Sequence, residues 1–534
     1  MSVPQPETPS RRVVGDELLP VLAKAGLEVP PYLLEDHSAF ISSLDDIIAS
    51  LPDDKSILPY PDLTKYPRTD IHVPEDNELG GWATKVTAKC INPTNDLLKG
   101  RTIALKDNMA FAGVRCTNGT SMVDWTPNID ATVVTRVLDA GATIIGKAAC
   151  ENSCLEGMSG TAVTGQVHNP FAKGYSAGGS SSGSGRLVAT GSVDLAFGCD
   201  QGGSIRIPAS SCGIVGLKPT WGLVPYTGIL SLDATVDHVG PMTKNVRDCA
   251  LLLEAIAGPD GWDDRQPPLG LEGDRLKFVA PVDQTLGKEP SKMLEGFKIG
   301  VLSEGFEVPG QDDAVVASVK SAIEKFKSLG AEVASVSVPL HREAPSLWAC
   351  ALPLPGGRQS LLGDMDGRKQ LYLTDRAELI GPKLTQSQFD ALGPGASNMY
   401  VGYLWIQEKY GAKVQGKAMN LLKATSDAYD KALEEFDVLV MPTLPYPPPR
   451  LPEPESNEGP RNYLARTTGL IANTCPFNNS GHPALSLPVG FVPAREDPTI
   501  KLPTAIQIVG RKYADVDCLK VAAAWEKEFD WKVL

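Results

Sequence analysis

The stretch NIDATVVTRVLDAGATIIGKA (128–148) carries the fold in miniature. Asp130 stands where a helix N-cap belongs, a short apolar segment follows, Gly141 ends it, and ATIIGKA then reads as a β-branched strand. The same grammar returns in FKIGVL (297–302) and DDAVVASVKSAIEKFKSLGAEVASVSVP (312–339): strand, helix, a stop at Gly330, strand. Helices alternating with buried strands predict an α/β protein with a mostly parallel sheet and helices on its faces. FDVLVMPT (436–443) reads as a further buried strand, and the Pro-rich PTLPYPPPRLPEPE (442–455) as a surface loop.

Upstream, DHSAFISSLDDIIASL (36–51) places Phe40, Ile41, Leu44, Ile47, Ile48 and Leu51 on one helical face, a stripe read first as intramolecular core and second as a dimer seam. A Pro-rich, charged strap follows to about residue 79. The expected organisation is therefore an N-terminal helical extension with its strap over 1–79, a possible dimerisation element, and a catalytic domain over 80–534.

A chain of 534 residues with 42% hydrophobic and 21% charged residues can build a large core. Its net charge of −14 argues against unaided binding to nucleic acid or an anionic membrane. No apolar run approaches the roughly 18 residues of a membrane span, and the start lacks an apolar leader. Ten scattered cysteines without a CxxC pair fit reduced thiols. Together these point to a cytoplasmic protein. Cys150 and Cys154 lie four apart but lack His or Cys partners at zinc spacing, so no metal site is expected.

GATIIGKA (141–148) approaches a phosphate-binding loop. Yet Ala148 occupies the position that needs a hydroxyl, and the residues between the glycines read as the strand itself. None of the six histidines forms HExxH or sits beside a GxSxG elbow, and His482 reads as a turn or core residue.

SAGGSSSGSG (176–185) read alone could be a linker, a phosphate cradle or part of a reaction centre. It is followed by GCDQGGSIRIPASSCGIVGLKPTWGLVPYTG (198–228), which embeds a second Gly-Gly-Ser between apolar segments, where flexible linkers do not usually lie. Glycines there can turn backbone N–H groups toward one point, and a serine at the edge can present its oxygen to a carbonyl whose oxyanion those groups receive. Without a persuasive histidine, the base left is lysine. Lys106 ends the strand-like RTIALK (101–106) and must be brought down toward about 7–8 by burial or charge to act as one.

ALKDN, SAGGSSSGSG and GCDQGGSIRIPASSCGIVGLKPTWGLVPYTG in that order, with FNNSGHPALSLPVGF (477–491) and PTAIQIVG (503–510), resemble the amidase signature family from about residue 80 onward. The resemblance implies a Ser–Ser–Lys triad: Lys106 as general base, Ser180 as bridging serine on a cis Gly179–Ser180 bond, and Ser204 as nucleophile, 24 positions after Ser180. It implies an oxyanion hole from the backbone N–H groups of Gln201, Gly202, Gly203 and Ser204. Asp200 and Arg206 are then expected to support the site through an ion pair or backbone hydrogen bonds rather than to carry charge to the substrate, Ser181 as a supporting residue, and Ser182 as a small residue in a tight loop.

Within that family the chain looks most like bacterial-type amidases of small aliphatic and aromatic carboxamides. The implied fold is one large mixed sheet covered by helices, with the helical extension serving a homodimer. No metal or organic cofactor is implied, and the partner is a small amide, not nucleic acid or membrane. The region about 339–400 matches nothing that can be carried over and is expected to line the acyl pocket. Trp348, Leu352 and Tyr400 are contacts there, with core packing the more ordinary role for each. The substrate-binding residues stay unassigned. The alternatives are the glutaminase subunit of a tRNA-dependent amidotransferase, a non-catalytic or nucleotide-binding scaffold, and an acyltransferase using an amine acceptor.

Overall fold

The computed structural model describes residues 12–534 except 53, 78, 267–275, 366 and 454–457. Residues 1–11 and the end of the Pro-rich loop therefore lie outside the described residues. The chain divides into two compact units, 1–59 and 60–534.

In the first unit, helices Gly15–Lys24 and Pro31–Ala49 run antiphase to the expected stripe. Ser38, Ser42 and Ser43 are buried, with Ser42 Oγ accepting from Val13 N at 2.7 Å, while Phe40, Leu44, Ile48 and Leu51 are exposed. The stripe is thus not packed as core, contrary to the first reading of it. Small serines let the turns before the helix lie close, and the bulky face is left outward.

The second unit is built on twelve strands: β1 Arg68–His72, β2 Trp82–Lys89, β3 Thr102–Lys106, β4 Thr143–Ala148, β5 Leu195–Asp200, β6 Val215–Lys218, β7 His238–Thr243, β8 Lys298–Leu302, β9 Glu332–Val336, β10 Val438–Pro442, β11 Ala484–Pro493 and β12 Lys501–Gly510. Their order is β1-β2-β4-β3-β5-β7-β6-β11-β12-β10-β8-β9. β1 pairs with β2 and Tyr66 is buried, so the division falls at 59/60 rather than near 79, and part of the strap belongs to the sheet.

The alternating units behave as their pattern predicts. β3 and β4 are parallel across helix Thr132–Asp139, and β8 and β9 across helix Asp313–Ser328, each helix followed by a glycine with positive φ (Gly141, Gly330). The sheet as a whole is mixed rather than mostly parallel, because β5, β7, β6, β11, β12 and β10 pair antiparallel in succession. Asp130 is not the N-cap: its carboxylate takes the Arg68 guanidinium and the Ala112 N–H, leaving Ala131 at the helix entry. The Pro-rich segment after β10 is also not a surface loop at its start, since Leu444 and Tyr446 are buried with Ile207 and Leu470. Proline has no N–H to leave unpaired, which makes such a segment inexpensive to bury.

Alternation along β3 decides what lies over each face. Ile103 and Leu105 enter the large core with Phe197, Leu217 and Ile508, whereas Ala104 faces the other side with Ala196, Ala209 and Met242. That second face is made of small residues. A Cβ on Gly216 would lie 2.6 Å from Ala209 Cβ, and one on Gly198 2.8 Å from Ile205 Cγ1. Helices Ser182–Thr190 and Arg206–Cys212 consequently lie close on the sheet, which brings the Gly/Ser-rich segments to the strand ends. Among the described residues no helix is long and apolar enough to cross a membrane.

Candidate active site

β3 and β5 are parallel neighbours, so their C-terminal ends, Lys106 and Asp200, emerge side by side on the small-residue face. Lys106 is fully buried and its Nζ donates to Ser180 Oγ at 2.8 Å and to Cys199 O at 3.5 Å. The Gly179–Ser180 bond is cis, as the resemblance implies, and Ser180 O accepts from Glu151 N at 3.1 Å. Ser181 is bonded to the Cys199 backbone on both sides, accepting from its N–H at 3.3 Å and donating to its carbonyl at 3.4 Å. Ser182 reaches Glu151 Oε1 at 3.4 Å, so it is more than a small filler. Burial raises Glu151 to about 7, with Thr161 and Gly160 N–H groups opposing it.

Asp200 and Arg206 form a fully buried ion pair, Nε to Oδ2 at 3.0 Å and Nη2 to Oδ1 at 2.9 Å. The rest of the guanidinium is used on Thr474 O, Gln507 Oε1 and Asn478 Oδ1 at 2.7–2.8 Å. Despite the cost of burial, Arg206 and Asn478 hold the Asp200 carboxyl far below the usual carboxylate range. This anchors the segment between them. Ile205 N donates to Asp200 Oδ2, Trp348 Nε1 donates to Gln201 O at 2.9 Å, and Thr474 Oγ1 donates to Gly202 O at 2.6 Å. Gln201 Nε2 bonds Tyr226 OH and Asp237 Oδ1. Gly203 has φ +143, and a Cβ there would sit 2.5 Å from Thr474 Oγ1, so glycine is required. With these carbonyls turned outward and tied, no described group accepts from the N–H groups of Gln201, Gly202, Gly203 or Ser204.

Ser204 is partly exposed and opens on a cavity of about 200 Å³. Trp348, Leu232, Ile207, Leu470 and Ile471 give it an apolar wall, with Cys154 at the side nearest Lys106. Trp348 therefore lines the site rather than serving only as packing. Leu352 is buried with Leu232 and Val236, and Tyr400 packs among Phe389 and Tyr403 with its hydroxyl accepting from Leu384 N. Leu232, Leu470 and Ile471 carry no signal in the sequence, being ordinary apolar residues far apart in the chain. His482 is occupied structurally by Ser480 and Asp430, and Lys147 of the loop-like GATIIGKA is buried against Asp107 at 2.8 Å.

Burial is the largest influence on the Lys106 amine and lowers it, but the neighbouring thiols of Cys154, Cys199 and Cys150 push it back and the net direction is upward. Burial drives Cys199 up to about 12, and Cys150 is also raised well above its ordinary value, through its bond to Cys154 and through burial. Burial opposes ionisation of Cys154 as well, yet Cys150, Lys106 and Ser180 overcome it and lower that thiol to about 7. Cys154 is thus the one neighbour able to carry charge near neutrality. The expected downward shift of Lys106 is reversed by these thiols, Cys154 first among them, groups that their sequence context marks only as structural.

A mixed sheet bearing a buried lysine–serine pair, a glycine-rich turn with unengaged N–H groups and an adjoining serine defines an amide-hydrolase architecture. The Amidase family model matches residues 77–519, and the chain belongs to this family, the amidase signature enzymes. An enantioselective amidase of Rhodococcus rhodochrous is 40% identical over 454 residues, spanning 84% of this chain and 83% of that protein. A glutamyl-tRNA(Gln) amidotransferase subunit of Natronomonas pharaonis is 33% identical, over 82% of this chain and 98% of its own. The crystal structure of a bacterial aryl acylamidase of the amidase signature family shares the fold, with a TM-score of 0.67 over 81% of this chain and 83% of that chain at 24% identity.

Proposed function

We propose that this chain is a free-standing amidase that hydrolyses a small aryl or alkyl carboxamide to carboxylic acid and ammonia. The observation that carries the reading is the 2.8 Å Lys106–Ser180 contact, fully buried, beside the cavity that Ser204 enters. Lys106 in its neutral form, the minor form near neutrality because its amine is shifted upward, takes the Ser180 proton as Ser180 takes that of Ser204, and Ser204 Oγ attacks the amide carbonyl. The N–H groups of Gln201, Gly202, Gly203 and Ser204 receive the oxyanion, each such donor contributing about 10²–10³ in rate. Collapse expels ammonia with the proton returned through Ser180, and water then cleaves the acyl-enzyme by the same relay. The apolar wall suits an uncharged acyl group. The exposed Phe40, Leu44 and Ile48 favour a homodimer, and ten unpaired thiols favour a cytoplasmic setting.

Ammonia release from benzamide, phenylacetamide, hexanamide and glutamine tests this. Turnover of aryl or alkyl amides supports the reading, and activity confined to glutamine replaces it with the amidotransferase reading. Trp348→Ala enlarges the cavity and frees the Gln201 carbonyl, so bulky aryl amides gain relative to hexanamide while kcat falls for all. The kcat/KM ratios across the panel check it.

Cys154→Ala supplies a pH prediction. A thiolate stabilises the Lys106 ammonium, so its removal leaves burial to lower the amine. The base is the neutral form, lost as pH falls. The acidic limb of kcat/KM is therefore expected to move to lower pH in the variant, and an unmoved limb would disconnect Cys154 from the base.

A further inference from the structure

A second cavity, of about 510 Å³, lies beside the segment Tyr226–Ser231 and shares no lining residue with the Ser204 cavity. Its size falls within the range of about 300–1,000 Å³ typical of small-molecule sites. Arg376 lines it and is only 5% exposed, yet its guanidinium makes no hydrogen bond and no ion pair with any described residue. A buried charge without a partner is costly, and structures normally supply one. The carboxylate next along the chain is engaged elsewhere: Asp375 accepts from Trp125 Nε1 at 2.8 Å and from the Arg376 backbone N–H. Thr227 also lines the cavity, and its Oγ1 is likewise buried without a partner.

The other arginines of the lining are neutralised locally. Arg265 and Arg368 pair with Asp263, and Arg368 also with Asp264. Asp364 pairs with Arg358, and Asp237 accepts from Gln201, Ser231 and Leu232 N–H. Among the described residues Arg376 is the one guanidinium of the lining left without an acid, Asp237 is hydrogen-bonded but forms no ion pair, and Ile229, Leu230, Leu371 and Leu373 add apolar surface.

We propose that this cavity is a binding site for a small organic monocarboxylate, its carboxylate on Arg376 with Thr227 Oγ1 as the second donor and its hydrocarbon body against the leucine wall. A monoanion matches a single free guanidinium, whose planar fork suits a carboxylate. A phosphate dianion would need a second free cation, and both remaining arginines are committed. The inference is independent of the triad assignment.

Isothermal titration of the full chain with 3-phenylpropanoate and hexanoate tests it, with inorganic phosphate as comparison. Arg376→Gln is expected to weaken carboxylate binding at least tenfold, about 1.4 kcal/mol, while Arg376→Lys retains most of it. Leu371→Trp fills this cavity and removes binding. Leu232→Trp fills the Ser204 cavity instead and leaves it. Circular dichroism establishes that each variant is folded, and Arg376→Gln carries the test if Leu371→Trp is not. The proposal is overturned if no carboxylate saturates by about 10 mM, if phosphate alone binds, if Arg376→Gln binds as wild type does, or if Leu232→Trp is the variant that loses binding.

Discussion

Ser204→Ala is expected to lower kcat for the preferred amide by about 10⁶, the loss seen when the nucleophile of a serine hydrolase is removed. The fold is expected to survive, because Ser204 is partly exposed and its Oγ holds no neighbouring element in place. Substrate binding should persist, since the apolar wall of Trp348, Leu232 and Ile471 is untouched. KM therefore moves little while kcat collapses. In the proposed mechanism Ser180→Ala and Lys106→Met cut the relay on the other side of Ser204, and groups that act as one device give losses that do not add. The Lys106→Met, Ser180→Ala double variant is expected to be no worse than the poorer single. Steady-state kinetics on all four proteins decides this. Equal ammonia release by wild type and Ser204→Ala would remove Ser204 as the nucleophile.

Lys106, Ser180 and Ser204 could be singled out in the sequence because each lies in a short motif of its own. Ser180 and Ser204 sit at the N-terminal approaches to two short helices, and Lys106 at the end of a strand with a clear apolar pattern. The parallel units around β3–β4 and β8–β9 were legible for the same local reason: helix, glycine stop, strand. The antiparallel middle of the sheet was not. β7 contains Pro241, β11 contains Pro488 and Pro493, and β12 contains Pro503, residues that argue against strands when read in isolation. Here they sit within paired strands, with a register shift between Pro488 and Gly490.

Local reading also failed wherever a long-range partner decided the outcome. Asp130 has the chemistry of a cap, yet Arg68, distant in sequence, claims it. Cys154 looks like a buried filler until Lys106 is placed beside it. The walls of the Ser204 cavity come from five separate stretches of chain, and those around Leu232 and Leu470 carry no local signature. What a sequence displays locally is the candidate triad; the cavity beside Ser204 is assembled from several stretches.

Arg206→Met is the second large effect, on stability as well as rate. The side chain is fully buried and spends its donors on Asp200, Asn478, Gln507 and the Thr474 carbonyl. Methionine preserves much of the volume but strands the Asp200 carboxylate with only the Ile205 N–H and the Asn478 amide. Breaking a buried pair by removing one partner costs about 3–5 kcal/mol, to be read from urea denaturation at pH 7. The pH dependence follows from the depressed Asp200 carboxyl. A carboxyl lowered in the folded state contributes stability above its unfolded value, about 3.9, and that contribution fades as pH falls through the folded value. Wild type should therefore hold its full advantage over the variant from neutral pH down to about 5, and the gap should narrow below about 4. Because Asp200 also holds Ile205, and through it the turn bearing Gln201–Ser204, kcat should fall with stability even under conditions where the variant is fully folded. A variant that is destabilised but catalytically intact would show that the turn is held by Trp348 and Thr474 alone.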